Sequence, residues 1–332
     1  GKKCDMFDLG YQAHQYQSRR PGYLGTSLQT FHAMFPNEDA CFRHVFAVRF
    51  GHPECPKCDK PAKWYRIAGY KRMQHPCGYS IAPLAHSIFH RSPIPLQLWF
   101  YAMLHFANST NGINSPFLAR HLGLAPKVGF SMARRIRLHM ASLESERRLG
   151  GAGKPVHITI VKVNNVRRTD RGSSANVIVL SDENQICCRV ISKARRNILN
   201  AAIADTCHAG SEIFTTNYLT HRAATEFGSR PTTIIYSLEP SDDRIRCDHS
   251  NGFKQYAVRP IRDQHRSIRI ETLWLYLAEA QFRYNRREIS QETFPDMVGR
   301  FVTLDREKAG QIERQFSRVR SAERTLKIEL AK

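Results

Sequence analysis

Acidic side chains are scarce in this sequence. It carries 29 Asp and Glu against 50 Lys and Arg, a formal net charge of +21. An excess that large points to a polyanionic partner, either nucleic acid or an anionic membrane face. Long apolar runs are missing too. No stretch approaches the roughly 20 residues that a bilayer-spanning helix needs, and no charged-then-apolar segment of secretory type opens the chain. Nucleic acid is therefore the expected partner, and no membrane. A disulfide framework is also unexpected: nine cysteines is an odd number, and 332 residues can bury a core without staples. A reducing cytoplasm follows. No internal repeat is visible. The chain opens on Gly1 rather than Met, as a trimmed or incomplete reading frame would.

The most informative stretch lies in the middle. Ser115-Pro116 opens a short helix, PFLARHLG, with serine available as cap and proline suited to the first turn. Gly123 ends it. Pro126 starts a second helix, on which Val128, Met132, Ile136 and Met140 recur every four residues along one face. Lys127, Arg134, Arg135 and Arg137 fall to its other faces, as candidate phosphate contacts. Two helices joined by a tight Gly turn, the second of them basic, form the pattern of a helix-turn-helix. The alternative is a helical hairpin whose arginines are merely solvated.

Upstream, Ser27 to Phe35 reads as a short helix, and Pro36-Asn37-Glu38-Asp39 starts another that runs to Phe50 and stops at Gly51. Cys55-Pro56-Lys57-Cys58 then forms a CPxC turn, a frequent half-site for tetrahedral zinc. Two short strand-like runs follow, separated by Gly69. A second CxxC is missing; His75 and Cys77 are the residues able to complete a site, with His52 as a spare. Structural zinc is one reading, and a ribbon that has lost its metal and holds itself by packing is the other. Ile81 to His90 is a short apolar connector, and Pro95 begins an apolar helix, LQLWFYAMLHFAN, in which Trp99 and Phe100 are packing residues.

Downstream, ESERRLGGAGK reads as a linker. Strands are expected at Val156 to Val163, Ala175 to Leu180, Ile186 to Ile191, Glu212 to Thr215 and Thr232 to Tyr236. Helices are expected over Arg195 to Cys207, about Leu219 to Phe227, and Ser267 to Arg287. The result is a mixed α/β sheet. Buried thiols account for Cys187 and Cys188 better than a nucleophile does.

Several of these segments carry a resemblance. CFRHVFAVRFGHPECPKC, YSIAPLAHSIFHRSPIPLQLWFYAM and LARHLGLAPKVGFSMARRIRLHM resemble, in that order, the N-terminal parts of bacterial insertion-sequence transposases. His249-Ser250-Asn251-Gly252 and Arg283-Tyr284-Asn285-Arg286-Arg287 resemble two motifs of their catalytic domain. The resemblance spans about residues 28 to 300 and implies an α+β multidomain protein. Residues 1–26 would be a loosely ordered N-terminus, 27–92 a zinc ribbon-like module and 93–144 the helix-turn-helix segment. Residues 145–154 would be the linker, 155–300 an RNase H-like mixed α/β domain of DDE type, and 301–332 a basic, exposed helical tail.

The family's three catalytic acids have no counterparts at the matching positions. Thr159, Asn217 and Lys254 stand there instead. DDE chemistry holds two Mg²⁺ ions on carboxylates, and Mg²⁺ demands anionic oxygen. Thr, Asn and Lys change the local formal charge from three negative to one positive. The resemblance therefore implies a transposase-related DNA-binding protein without DNA cleavage or strand transfer. The alternative is an active enzyme using Mg²⁺ and displaced acids, with Asp248 foremost among Asp170, Asp182, Glu183, Asp242, Asp243, Asp248 and Asp263. Expected partners are double-stranded DNA and, for a homodimer, a second copy of the chain. The expected location is the bacterial cytoplasm, at the nucleoid.

Overall fold

The computed structural model describes residues 25–317 apart from 52, 62, 165, 168–173, 192–195, 216–233, 237–252 and all but 258, 261 and 265 of 254–267. Helix α1 (Leu28–Met34) starts where the Ser27 side chain accepts the Thr30 N–H. Helix α2 (Glu38–Phe50) starts where Asn37 accepts the Ala40 N–H, and it ends at Gly51 with φ +65°. Helix α3 (Leu96–Asn108) opens on Pro95, which offers no capping side chain. The Glu38 carboxylate caps it from a distance, accepting the N–H groups of Leu96 and Gln97 at 2.9 and 3.0 Å. Between α2 and α3 lie β1 (Tyr65–Arg66), β2 (Met73–Gln74) and β3 (Ser80–Ile81), an antiparallel ribbon.

Helices α4 (Ser115–His121) and α5 (Pro126–Glu144) follow. The cap of α4 is Asn114, whose side chain accepts the Phe117 N–H, and Ser115 is already inside the helix. Asparagine suits that role as well as serine does, so the expected start moves by one residue.

The C-terminal half is built on a sheet of β4 (Pro155–Asn164), β6 (Ser174–Ser181), β7 (Ile186–Ile191), β8 (Glu212–Thr215) and β9 (Ile234–Tyr236), in the order β7-β6-β4-β8-β9. The pairs β7–β6 and β6–β4 are antiparallel; β4–β8 and β8–β9 are parallel. A further pair, β5 (Val166–Arg167) and β10 (Ile268–Arg269), lies beside it. Period-two alternation divides the sheet between two cores. Ile158, Ile178, Leu180 and Ile191 pack against Leu199, Ala202 and Ile203 of α6 (Arg196–Thr206). Val161, Val177, Val179, Cys188 and Val190 face the other way, toward α7 (Leu273–Tyr284). That second core continues without a break through α3 and α5 to Phe31 and Phe42.

Three expectations change. The 145–154 segment does not span free. Leu149 is fully buried, its N–H donates to the Thr206 carbonyl, and Gly153 donates to Gly210. The helix expected over Ser267 to Arg287 begins only at Leu273, because Ile268 and Arg269 pair as a strand. The tail is not an exposed helix where it is described. After α8 (Thr293–Val298), α9 (Arg306–Phe316) buries Ala309, Ile312 and Phe316, and the Phe316 ring stacks on Trp274. The helix expected over Leu219 to Phe227 lies outside the described residues. Among the described residues no helix is long and apolar enough to cross a membrane.

Candidate metal centre and nucleic-acid interface

The ribbon brings two tight turns face to face. In the first, the N–H groups of Cys58 and Asp59 return to the Cys55 carbonyl at 3.2 and 2.8 Å. In the second, the Gly78 N–H returns to the His75 carbonyl at 2.9 Å, with Gly78 at φ +87°. The turns converge four side chains. Cys55 Sγ and Cys77 Sγ are 3.4 Å apart, Cys58 Sγ and His75 Nδ1 3.7 Å, and His75 Nδ1 and Cys77 Sγ 3.2 Å. All four ligand atoms fall within 4.8 Å of one another. A tetrahedral zinc with bonds of about 2.3 Å to sulfur and 2.0 Å to nitrogen separates its ligands by roughly 3.5–3.8 Å. The cysteines are free thiols, so the cluster could hold a metal ion such as zinc.

The local electrostatics favour a thiolate. The Tyr79 backbone N–H, with His75 and the neighbouring cysteines, pulls the Cys77 thiol down to about 6 against the effect of burial. Cys58 shifts upward: the Lys60 backbone N–H favours its thiolate, but burial and the adjacent sulfurs outweigh it. His75 lies against Trp64, and its Nε2 is buried without a hydrogen-bond partner among the described residues. The ribbon docks on α2 through Trp64 against Phe46, and through Arg66, which stands over Phe42 and pairs with Asp39 at 2.9 Å. His52 lies outside the described residues.

Helices α4 and α5 meet at a close crossing. A Cβ on Gly129 would stand 2.6 Å from the Ala119 Cβ and 2.9 Å from its Cα, so only glycine fits. Gly123 makes the turn at φ +64°. Met132, Ile136 and Met140 are buried, as their spacing required.

The four candidate cations separate. Lys127 is exposed and Arg134 half-buried. Arg135 donates to the carbonyls of Ile88 and His90 at 3.2 and 2.9 Å, which ties α5 to the connector before α3. Arg137 is 2% exposed, pairs with Glu279 at 2.7 Å, and lies under the Tyr276 ring. It forms a structural ion pair and, buried, does not reach a phosphate as its helix position suggests. The sequence hid this because the partner carboxylate lies 142 positions away. Arg120 on α4, which the helical pattern does not mark, is exposed.

A second buried network closes the far end of α5. The Glu144 side chain is fully buried and accepts from Arg147 at 2.7 and 2.9 Å, Arg286 at 2.7 Å, Asn285 at 2.8 Å and Gln281 at 3.1 Å. Burial alone would raise its pKa; the guanidiniums of Arg147 and Arg286 reverse that and hold it below the usual carboxylate range. Asn285 also accepts the Ile186 N–H at 2.8 Å, so the clamp reaches β7. The Arg283–Arg287 segment thus acts as a seam between α5 and the sheet. Arg283 extends it by donating to the carbonyls of Ser109 and Thr110.

Of the three positions matched to catalytic acids, Thr159 is half-buried on β4, opposite Val179. Asn217 and Lys254 lie outside the described residues, as do Asp170, Asp242, Asp243, Asp248 and Asp263. Asp182 organises a turn, accepting the N–H groups of Gly150, Asn184 and Gln185 at 3.2, 3.1 and 3.0 Å. Burial raises the Cys187, Cys188 and Cys207 thiols, Cys207 to about 12, which leaves them unreactive.

These features define a mixed α+β protein with a Cys₃His cluster and a helix pair fused to its sheet. Comparison with protein-family models, with curated proteins and with solved structures finds no match in any of the three.

Proposed function

We propose that this chain is a duplex-DNA-binding protein of insertion-sequence transposase descent. In this reading the ribbon holds a structural zinc, α4 and α5 form a helix-turn-helix, and an RNase H-like sheet no longer cuts or joins DNA. The observation that carries the proposal is the close-crossing α4–α5 pair in a chain of net charge +21. Lys127 and Arg134 supply phosphate contacts from α5. The Cys₃His set favours zinc over harder cations, since thiolates suit a soft tetrahedral ion. The RNase H-like reading is supported by the sheet order, with three antiparallel strands joined to two parallel ones. Thr159 on the middle strand can give Mg²⁺ only a neutral hydroxyl. A second copy of the chain and a site at the bacterial nucleoid belong to the same reading.

The test pairs two assays on the same duplexes. Binding should weaken steeply with salt, each lysine or arginine at a phosphate adding about 0.9 to the slope of log affinity against log salt. Incubation with Mg²⁺ or Mn²⁺ should yield no nicked or joined product. Nicking or joining by the wild type that Asp248→Ala abolishes would establish the displaced-acid enzyme instead.

A further inference from the structure

Between Asp59 and Glu144 the sequence holds no Asp or Glu, and that stretch supplies the ribbon strands and helices α3, α4 and α5. Acids from outside it reach some of its cations: Asp39 pairs with Arg66, and Glu279 with Arg137. Both of these cations turn inward, Arg66 onto the Phe42 ring and Arg137 beneath Tyr276. Lys63 and Arg72 are exposed instead, and neither forms an ion pair among the described residues. On β1 and β2 the pairs Tyr65–Gln74 and Arg66–Met73 alternate between the two faces. Met73 is buried, so the exposed Tyr65 stands on the outer face. At the hairpin tip, next to Gly69 at φ +75°, Tyr70 is 65% exposed, more than any other large apolar side chain among the described residues. The tip is also fixed in place. Lys71 Nζ donates to the Ser92 carbonyl at 2.9 Å, and the Ser92 hydroxyl accepts the Trp99 indole N–H at 3.0 Å. Arg135 of α5 grips the same turn at the Ile88 and His90 carbonyls. Residues 90 and 92 are two Cα steps apart, so the tip and α5 hold that turn at points within about 14 Å of each other.

We propose that the outer face and tip of the ribbon form a second phosphate-contacting surface for the duplex that α5 engages, with Lys63, Tyr70 and Arg72 as its contacts. The inference rests on the DNA-binding reading above. Ammonium, guanidinium and phenol groups all donate hydrogen bonds, and the oxygens of a phosphodiester accept them. The ribbon's own acids, Glu54 and Asp59, precede β1 beside the cysteine turn, away from the tip. The donors at the tip are therefore left to an anionic partner. The shared turn sets the ribbon against α5 at a fixed and short spacing, which a single duplex can span. The ribbon and the helix pair then bind as one surface.

The experiment measures duplex binding by fluorescence anisotropy across a salt series. The proteins are the wild type, the double variant Lys63→Ala with Arg72→Ala, Arg72→Glu, Tyr70→Ala, Lys127→Ala and the exposed control Arg300→Ala. Each is checked for unchanged metal content and melting temperature. The double variant should bind several-fold more weakly and lower the salt slope by about 1.8, since each lost phosphate contact removes about 0.9. Arg72→Glu should also bind several-fold more weakly. Tyr70→Ala should weaken binding and leave the slope unchanged, because the phenol carries no charge. Arg300→Ala should match the wild type. If the double variant and Arg72→Glu bind like the wild type while Lys127→Ala does not, the ribbon proposal fails and DNA binding through α5 stands. If Arg300→Ala weakens binding as much as Arg72→Glu does, the effect is one of overall charge and the proposal is overturned. If the wild type binds no duplex, the functional reading fails and takes this inference with it. A second arm uses phosphatidylserine vesicles. If the ribbon variants lose affinity for these and keep it for duplex, the surface is a membrane contact and the proposal is overturned.

Discussion

Strands β1, β2 and β3 are two residues long each, while β4 alone runs for ten. The two sheets are stabilised by different means. The ribbon buries few large side chains of its own, chiefly Trp64 and Met73, and so small a sheet is marginal in water. Its two turns meet at four side chains that could hold a metal ion. The five-stranded sheet buries all six residues of β7 and packs apolar layers on both faces. It needs no ion, and its acid-free β4 stays well ordered because apolar burial, not carboxylate chemistry, determines its packing. The large sheet is thus held by apolar burial on both faces, whereas the ribbon has little apolar core of its own.

The sharpest way to break that comparison is to remove the metal. Purified protein should carry about one zinc per chain, and chelation or Cys55→Ser should release it. Structural zinc in small peptides contributes about 10–16 kcal/mol of apparent binding free energy, so the ribbon should unfold. Hydrogen exchange should rise across residues 53–81 and stay low in β4, β6 and β7. A protein without zinc whose Cys55→Ser variant exchanges like the wild type would end the ribbon's half of the comparison.

Glu144→Ala should do the converse. It strands Arg147 and leaves Arg286 with Asp296 as its remaining acid, at a cost of about 3–5 kcal/mol. Denaturant unfolding should register that loss while zinc content stays constant. A loss below about 1 kcal/mol would mean that the seam is not a unit.

Acid should act on the same side of the molecule. Burial lowers the His139 pKa to about 4, against the Met297 carbonyl that it contacts at 2.7 Å. The ring is thus neutral in the fold but takes up a proton below about pH 6.5 when unfolded. Stability is lost as pH falls from there toward 4, by about 3 kcal/mol. A His139→Gln variant should show a flatter melting curve against pH; an identical curve would exclude His139 as the source. The smallest effect is expected from Gly129→Ala, which overpacks the α4–α5 crossing by about 1–3 kcal/mol. Its zinc content should be unchanged and its duplex binding weakened.

How far these regions could be read from the chain differs in the same way. Apolar runs marked β4, β6 and β7 because both faces of those strands are buried. Asn37, Gly51, Gly123 and Pro126 marked helix ends because their chemistry is local. The Cys₃His cluster was half legible: CPxC is a local signal, but His75-Pro76-Cys77 is one residue short of the usual second knuckle, and only the fold brings the halves together. Arg137 and Glu144 were not legible at all. On a helix a buried ion pair and a solvated charge read alike, and the partners Glu279 and Arg286 lie more than a hundred positions along the chain. The start of α7 was missed because two residues of strand pairing interrupt an otherwise helical period.

The Glu144 clamp has a consequence for recognition. It fastens α5 to α7 and, through Asn285, to β7, so the helix has no hinge at its C-terminal end. Any ligand that meets α5 meets the sheet at a preset offset. Docking then need not order α5 against the sheet, which lowers its entropic cost. The molecule behaves as a caliper locked at one width, so a partner that touches both jaws has to match that width or change shape itself.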